Sequence, residues 1–413
     1  MKYDVIIIGG GAAGLFCGAN LELKNKKGLI LDKSSKLGLK LLVSGSGQCN
    51  FTHGGDIRDF VDKYGDNGKK VRGILYKFSN EKVVEYFEGK GLKTIEREDG
   101  KVFPQSLCAE DVRSLLLREI KKNGFEIKTE EGVVEIRKID DVSHLYEIKT
   151  ETKYGQQIYR AENIVVAAGG ISYPKTGSDG SIFKALESLE GIEITPLRPS
   201  LVPIYVEGYG YTGLSGIAIR DTEISLDTEE KKKRRSRRGD VLFTHRNLSG
   251  PAIIDFSRYL NQGDRFRINY VPDGFKSGES LKSQGVAKSL GNYLLEETGL
   301  PKAFIQEIIN KVDGVSWDDK TASVSGKKIK EIQSILTGEV FLVNGKAGLD
   351  KAMATAGGVA LSEISTKTME SKKHPGLFFC GEVLDVDGDT GGYNIQFAFS
   401  SGYLAAQHIS QLP

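Results

Sequence analysis

The chain opens with YDVIIIGGGAAG, residues 3–14, and no other stretch limits its fold so tightly. Tyr3–Ile8 is a nearly unbroken apolar run, the pattern of a parallel strand buried on both faces. Gly9, Gly11 and Gly14 then complete G-x-G-x-x-G. Gly9 allows a tight turn, Gly11 lets backbone approach a pyrophosphate, and Gly14 lets the next helix pack closely on the strand. Ala12 and Ala13 fall at the helix N-terminus, where free N–H groups and the positive dipole end favour phosphate. A second apolar run, Leu29–Leu31, ends in Asp32, at about the spacing expected of an acid that binds ribose hydroxyls, and Lys33 follows. An acid there disfavours a 2′-phosphate. Strand, turn, helix and acid in this order predict a dinucleotide site but do not choose between FAD and NAD.

Three later stretches favour FAD. GLKLLVSGSGQCNFTH, residues 38–53, is a Gly/Ser loop suited to a phosphate or a flavin edge. It supplies Lys40, Ser44, Gly45, Gly47 and Asn50 as candidate contacts. ENIVVAAGGISYPKTGSDG predicts a buried strand over Ile164–Ala168 that ends at Ala168 and Gly169. FFCGEVLDVDGDTGGYNIQFAFSSG predicts a strand ending at Gly381 and Glu382, then a loop carrying Asp389 and Gly392. A helix is predicted to start near Tyr393, Asn394 and Ile395, continuing with small and apolar residues at helical spacing. FAD is long: its adenine end uses the N-terminal unit, and its ribityl chain and rings need separate support. Glu382 can accept a ribityl hydroxyl, and a helix start near Asn394 can face the N1–C2=O edge of the ring. The second strand–turn–helix therefore holds the far end of the same non-covalently bound cofactor.

At 413 residues the chain predicts two or three domains. Its four cysteines form no CxxC and no zinc spacing, so no metal site is expected. Free thiols, no apolar stretch of membrane-spanning length and no signal-peptide pattern make a cytoplasmic location the expectation, with no membrane partner. The oligomeric state is not legible.

From Pro196 to Tyr270, short alternating runs such as LVPIYVEG, TEISLD and DRFRINYV predict antiparallel sheet or barrel. From Gly278 to Lys311 the spacing turns helical. KKKRRSRR, residues 231–238, carries seven positive charges, and without them the formal balance of +2 would become −5. The run reads as a solvated hairpin tip. With no interleaved aromatic residue it argues against nucleic acid as a partner; an RNA contact through this hairpin is the alternative.

Flavin chemistry resides in the cofactor, so the protein need only orient and tune it. His245, a polar break in FTHRNLSGP, is a candidate proton donor, and Tyr393 a candidate ring contact. No second G-x-G-x-x-G unit is present, so NAD(P)H, as electron donor, would dock transiently.

Taken in order, LKLLVSGSGQCNFTH, VFPQSLCAEDV, AAGGISYPKTGSDG, FTHRNLSGPAIIDFSR and the block from TAGGVALSEIS to FAFSSG resemble the BaiN-like (aminoacetone oxidase-like) family of bacterial FAD-dependent oxidoreductases. The resemblance spans nearly the whole chain. It implies an α/β fold: a Rossmann-like FAD-binding domain built from both chain ends (1–192 and 345–413). A β-barrel-like insert (193–276 and 322–344) and a small helical sub-insert (277–321) complete it. It also implies FAD contacts at Gly11, Ala13, Gly14, Asp32, Lys33, Lys40, Ser44, Cys49, Asn50, Glu382, Asn394 and Ile395, with Val133 beside the adenine. The chain departs from the family pattern at Leu39 and Gln48, where arginines are usual, and at Asp32, where Glu is usual. The expected activity is reduction of a small organic substrate, an enone among the candidates, with electrons from NAD(P)H. Oxidation of an amine such as aminoacetone with release of peroxide, and an RNA-binding flavoprotein, are the alternatives.

Overall fold

A computed structural model of the chain describes residues 1–140, 144–228, 235–274 and 288–412. The chain divides into two compact units, Met1–Pro199 with Ala352–Pro413, and Ser200–Lys351.

In the first unit, strand Lys2–Ile8 pairs in parallel with Gly28–Leu31 on one side and with Gly155–Val166 on the other. Val5, Ile6 and Ile7 are fully buried, as a central parallel strand requires. Glu126–Lys128 extends one edge beyond Gly28–Leu31. Strand Gly155–Val166 changes character along its length. Its first half pairs antiparallel with Leu145–Thr152, which in turn pairs with Gly132–Asp140. Its buried second half takes Leu377–Phe379 as a parallel neighbour. The C-terminal strand thus lies beside the N-terminal one with a single strand between them.

Helix Tyr393–Gln411 packs on helix Ala12–Asn20. A Cβ at Gly402 would lie 2.6 Å from the Ala13 carbonyl oxygen, so the two backbones meet at a contact only glycine permits. Ser401 Oγ accepts the Gly381 N–H at 3.0 Å and ties the C-terminal strand's turn to the same helix.

The second unit is a closed barrel. Its strands run in the order Ile204–Val206, Leu248–Ser249, Ser236–Phe243, Ala218–Leu226, Arg265–Asn269 and Glu339–Lys346, the last pairing back to the first. Helices Leu290–Thr298, Lys302–Asn310 and Gly326–Gly338 contribute to its core, where Tyr211, Phe243, Tyr270 and Phe304 meet.

Three expected boundaries move. Strand Ile194–Ser200 pairs with Ala354–Val359 in a separate two-stranded sheet, which carries the first unit past residue 192 to Pro199. Gly345 and Lys346 stay in the barrel because they pair with Tyr205 and Ile204. Residues 326–338, expected within the barrel, form a helix capped by the Ser325 side chain and buried through Ile329, Ile332 and Leu336. Residues 277–287 of the expected sub-insert and 231–234 of the basic run lie outside the described residues. No helix among the described residues is long and apolar enough to cross a membrane.

Candidate FAD site

The glycines of the first turn do three separate jobs. Gly9 has φ +98°, and a Cβ there would meet the Ala167 carbonyl oxygen at 2.6 Å. A Cβ on Gly14 would come within 1.9 Å of the Gly9 carbonyl oxygen, so this position closes the strand–helix turn. At Gly11 the nearest atom to a Cβ would be 4.0 Å away. The space in front of Gly11 is part of the cleft, so glycine there keeps room for a ligand. Asp32, at the end of the second strand, lines the same cleft. Its Oδ2 accepts the Gly10 N–H and its Oδ1 the Ser34 N–H, each at 2.7 Å. The acid therefore also braces the glycine turn, which its spacing alone did not reveal.

Further along the cleft, Lys40 Nζ donates to Glu382 Oε2 and to Ser172 Oγ, both at 2.5 Å. Glu382 Oε1 accepts from Ser172 Oγ at 2.5 Å and from the Thr355 N–H at 2.9 Å. Lys40 and Glu382 face the cleft; Ser172 and Thr355 are fully buried behind it. The helix Tyr393–Gln411 begins after Gly392, whose φ is +101°. The Asn394 side chain mimics a peptide: it accepts the Gly388 N–H and donates to the Gly388 carbonyl, both at 2.8 Å. This clamps the loop leading into the helix.

Of the sequence-predicted contacts, Gly9, Gly11, Ala12, Ala13, Asp32, Lys33, Lys40, Ser44, Val133, Ala168, Gly169, Glu382, Asn394 and Ile395 line one cleft. Gly14, Gly47, Cys49, Asn50, Gly381, Asp389, Gly392 and Tyr393 do not. Cys49 is fully buried with φ +59°, and burial pushes its thiol up to about 12, which makes it a poor redox thiol at neutral pH. Asn50 is buried, and its Oδ1 has no hydrogen-bond partner among the described residues. Tyr393 is also buried: it stacks on His53 at 5.2 Å and meets Phe60 edge-on at 5.0 Å. The helix start is near the predicted place, but its aromatic ring turns into the core. His245 belongs to the second unit and is exposed in the turn after Ser236–Phe243.

The sequence reading missed Ser172, Thr355, Ser178 and Met353. Ser178 and Met353 line the cleft. Burial pushes the Asp179 carboxyl up, but its pairing with Lys33 and the Ser181 N–H prevails and holds it below the usual carboxylate range. Gln48, where the family pattern has arginine, accepts a hydrogen bond from Arg97 Nη2 at 2.6 Å; that guanidinium lies 4.0 Å from the Phe103 ring centroid.

The cleft fits a long dinucleotide. Gly11 leaves room for close approach of a ligand, Asp32 stands where an acid would meet a ribose, and the Lys40–Glu382 pair follows farther on. Ser178 Oγ, buried at its wall, has no hydrogen-bond partner among the described residues. Residues 3–408 match the HI0933-like protein Rossmann domain family. The chain belongs to this family. A ribosomal RNA dihydrouridine synthase of Haemophilus influenzae is 33% identical to it over 410 residues, 98% of each chain. A 3-dehydro-bile acid delta(4,6)-reductase of Clostridium scindens is 27% identical over 421 residues, 98% of this chain and 99% of that one. The 3-ketosteroid-delta4-(5alpha)-dehydrogenase of Rhodococcus jostii RHA1 shares the fold, with a TM-score of 0.52 at 14% identity over 98% of this chain and 97% of its own. This HI0933-like chain is an FAD-dependent oxidoreductase, with a Rossmann-type FAD domain and a six-stranded antiparallel barrel as its insert.

Proposed function

We propose that the protein reduces a carbon–carbon double bond conjugated to a carbonyl, and that its substrate is a uracil base in ribosomal RNA. One observation carries this reading: full-length identity of 33% to a relative named for dihydrouridine synthesis in ribosomal RNA. The relative named as a bile acid delta(4,6)-reductase supports the bond class, because both names describe saturation of an alkene. The reading departs from the sequence-based expectation that nucleic acid is not a partner.

When bound, FAD supplies the hydride chemistry, with NAD(P)H as the proposed transient donor. The N-terminus of helix Ala12–Asn20, with the open face of Gly11, receives the pyrophosphate. Asp32 takes ribose hydroxyls, and Val133 packs beside the adenine. Lys40 and Glu382 hold the polyol chain. The N-terminus of helix Tyr393–Gln411, at Asn394 and Ile395, faces the ring edge where negative charge gathers on reduction. His245 is the proposed proton donor to the substrate. In the strand Ser236–Phe243, Arg237 pairs with Asp255 at 3.1 Å and Arg238 with Asp221 at 2.5 Å; the positive charge of the basic run is the proposed counterpart of RNA phosphates.

The test is anaerobic turnover. Protein reduced by NADPH or NADH is mixed with ribosomal RNA lacking dihydrouridine, and uridine fragments are weighed. A two-hydrogen mass gain at a defined uridine, lost when residues 231–238 are neutralised, supports the reading. Unchanged RNA, with rapid flavin reoxidation by a 3-oxo-4,6-diene steroid, would move the substrate to small enones. Reduction of the flavin by aminoacetone without nicotinamide would replace the reductase reading with an oxidase one.

A further inference from the structure

We infer that Thr355 is a positioning residue of the cofactor cleft, acting through Glu382 and the Gly170–Ser172 turn. This rests on the reading above that Glu382 faces the polyol chain of FAD. Thr355 lies on strand Ala354–Val359, is fully buried and does not line the cleft. Its Oγ1 accepts the Ile171 N–H at 2.8 Å and the Ser172 N–H at 3.2 Å. Its own N–H donates to Glu382 Oε1 at 2.9 Å. A Cβ on Gly170 would fall 2.2 Å from Thr355 Oγ1, so only glycine lets the turn come this close to the hydroxyl.

The network is closed and its polarity is consistent. Lys40 donates to Ser172 Oγ and to Glu382 Oε2; Ser172 Oγ donates to Glu382 Oε1. Glu382 Oε1 therefore has two partners within the protein, and Oε2 keeps a lone pair for a polyol hydroxyl. Without the Thr355 hydroxyl, the buried Ser172 N–H and the half-buried Ile171 N–H lose their acceptor, and the turn must move to find another. Ser172 moves with it, and Glu382 loses the hydroxyl that fixes its rotamer. A threonine with no contact to the cofactor thus sets the direction of the carboxylate that has one.

The test titrates FAD into deflavinated wild type, Thr355→Val, Thr355→Ser, Ser172→Ala and Glu382→Ala, reading affinity and the visible flavin spectrum. Thr355→Val keeps side-chain volume and removes the acceptor. It should weaken FAD binding about tenfold and shift the flavin bands. Thr355→Ser should restore both, a rescue that a purely space-filling role would not give. Ser172→Ala should weaken binding in the same direction if Thr355→Val proves too unstable to measure. Wild-type affinity and spectrum in Thr355→Val, or in Ser172→Ala, overturn the inference while leaving the placement of Glu382 intact. Wild-type affinity in Glu382→Ala instead overturns the placement on which it rests.

Discussion

Each unit contains a carboxylate held by a lysine and by hydroxyl groups, and the two have opposite surroundings. In the barrel unit, Glu339 accepts from Tyr211 and Tyr270 hydroxyls at 2.7 Å each and from Lys311 at 2.7 Å. The Lys311 ammonium also lies 3.7 Å from the Tyr211 ring centroid, and aromatic residues pack around the knot. Burial first, and then the Glu339 charge, pushes both tyrosines well above their usual range, so they stay protonated donors. In the first unit, Glu382 is held by Lys40, Ser172 and the Thr355 N–H, but it lines a cleft. Side-chain exposures of 14% and 22% barely separate the two acids. A well-paired carboxylate is therefore not by itself a sign of function. The difference lies in the neighbouring backbone: glycine turns leave space in front of one acid, and aromatic rings fill it around the other.

The largest expected effect separates two glycines of one motif. Gly14→Ala forces a methyl group to 1.9 Å from the Gly9 carbonyl oxygen and should cost about 3 kcal/mol or more, giving poorly soluble, colourless protein. Gly11→Ala meets no protein atom nearer than 4.0 Å, so the apoprotein should melt as wild type while FAD affinity falls about tenfold. Equal melting and equal flavin content in both variants would erase the distinction between a packing glycine and a ligand-facing one. Next in size is Glu339→Ala, which strands two buried hydroxyls and a lysine and should destabilise the barrel by about 2–3 kcal/mol. Its FAD content should not change. Loss of flavin in this variant would break the contrast drawn between the two acids.

A smaller effect depends on pH. Burial pushes the Glu119 carboxyl up, but Lys122, Lys90 and Arg118 outweigh it and hold it at about 2, against an ordinary 4.5. A depressed carboxylate contributes stability above its unfolded value, and that contribution fades as pH falls from about 4.5 towards 2. Glu119→Gln should therefore be about 1 kcal/mol less stable than wild type at pH 7 and converge with it in acid, followed by denaturant midpoints. Least disruptive is thiol titration. Cys17, Cys49 and Cys380 are buried and burial raises their thiols, whereas Cys108 is exposed. One thiol should react promptly in native protein and four after unfolding. Prompt reaction of Cys49 would mean that the Ser44–Asn50 wall opens.

Much of the cleft was readable in advance because its signals are short-range. The glycine spacing at residues 9–14, the acid closing the second strand and the strand–turn–helix at 377–395 each depend on neighbours a few positions away. Tyr393 failed for a local reason too: the helix start was near its predicted place, but its helical phase turned the ring towards His53 and Phe60. The helix at Gly326–Gly338 was missed because expectation there followed the return to a strand pattern that begins only at Glu339.

From the amino-acid order alone came a Rossmann-type unit shared by both chain ends, an inserted barrel, and FAD as the ligand. These follow from periodicity, glycine placement and a resemblance carried by contiguous motifs. Only the folded chain could assemble Lys40, Ser172, Thr355 and Glu382, because sheet pairing joins segments that are 132 and 342 positions apart in two of those bonds. Hydrogen bonds act over about 3 Å, and nothing in the local pattern around a serine or threonine records which distant carboxylate will lie within that reach.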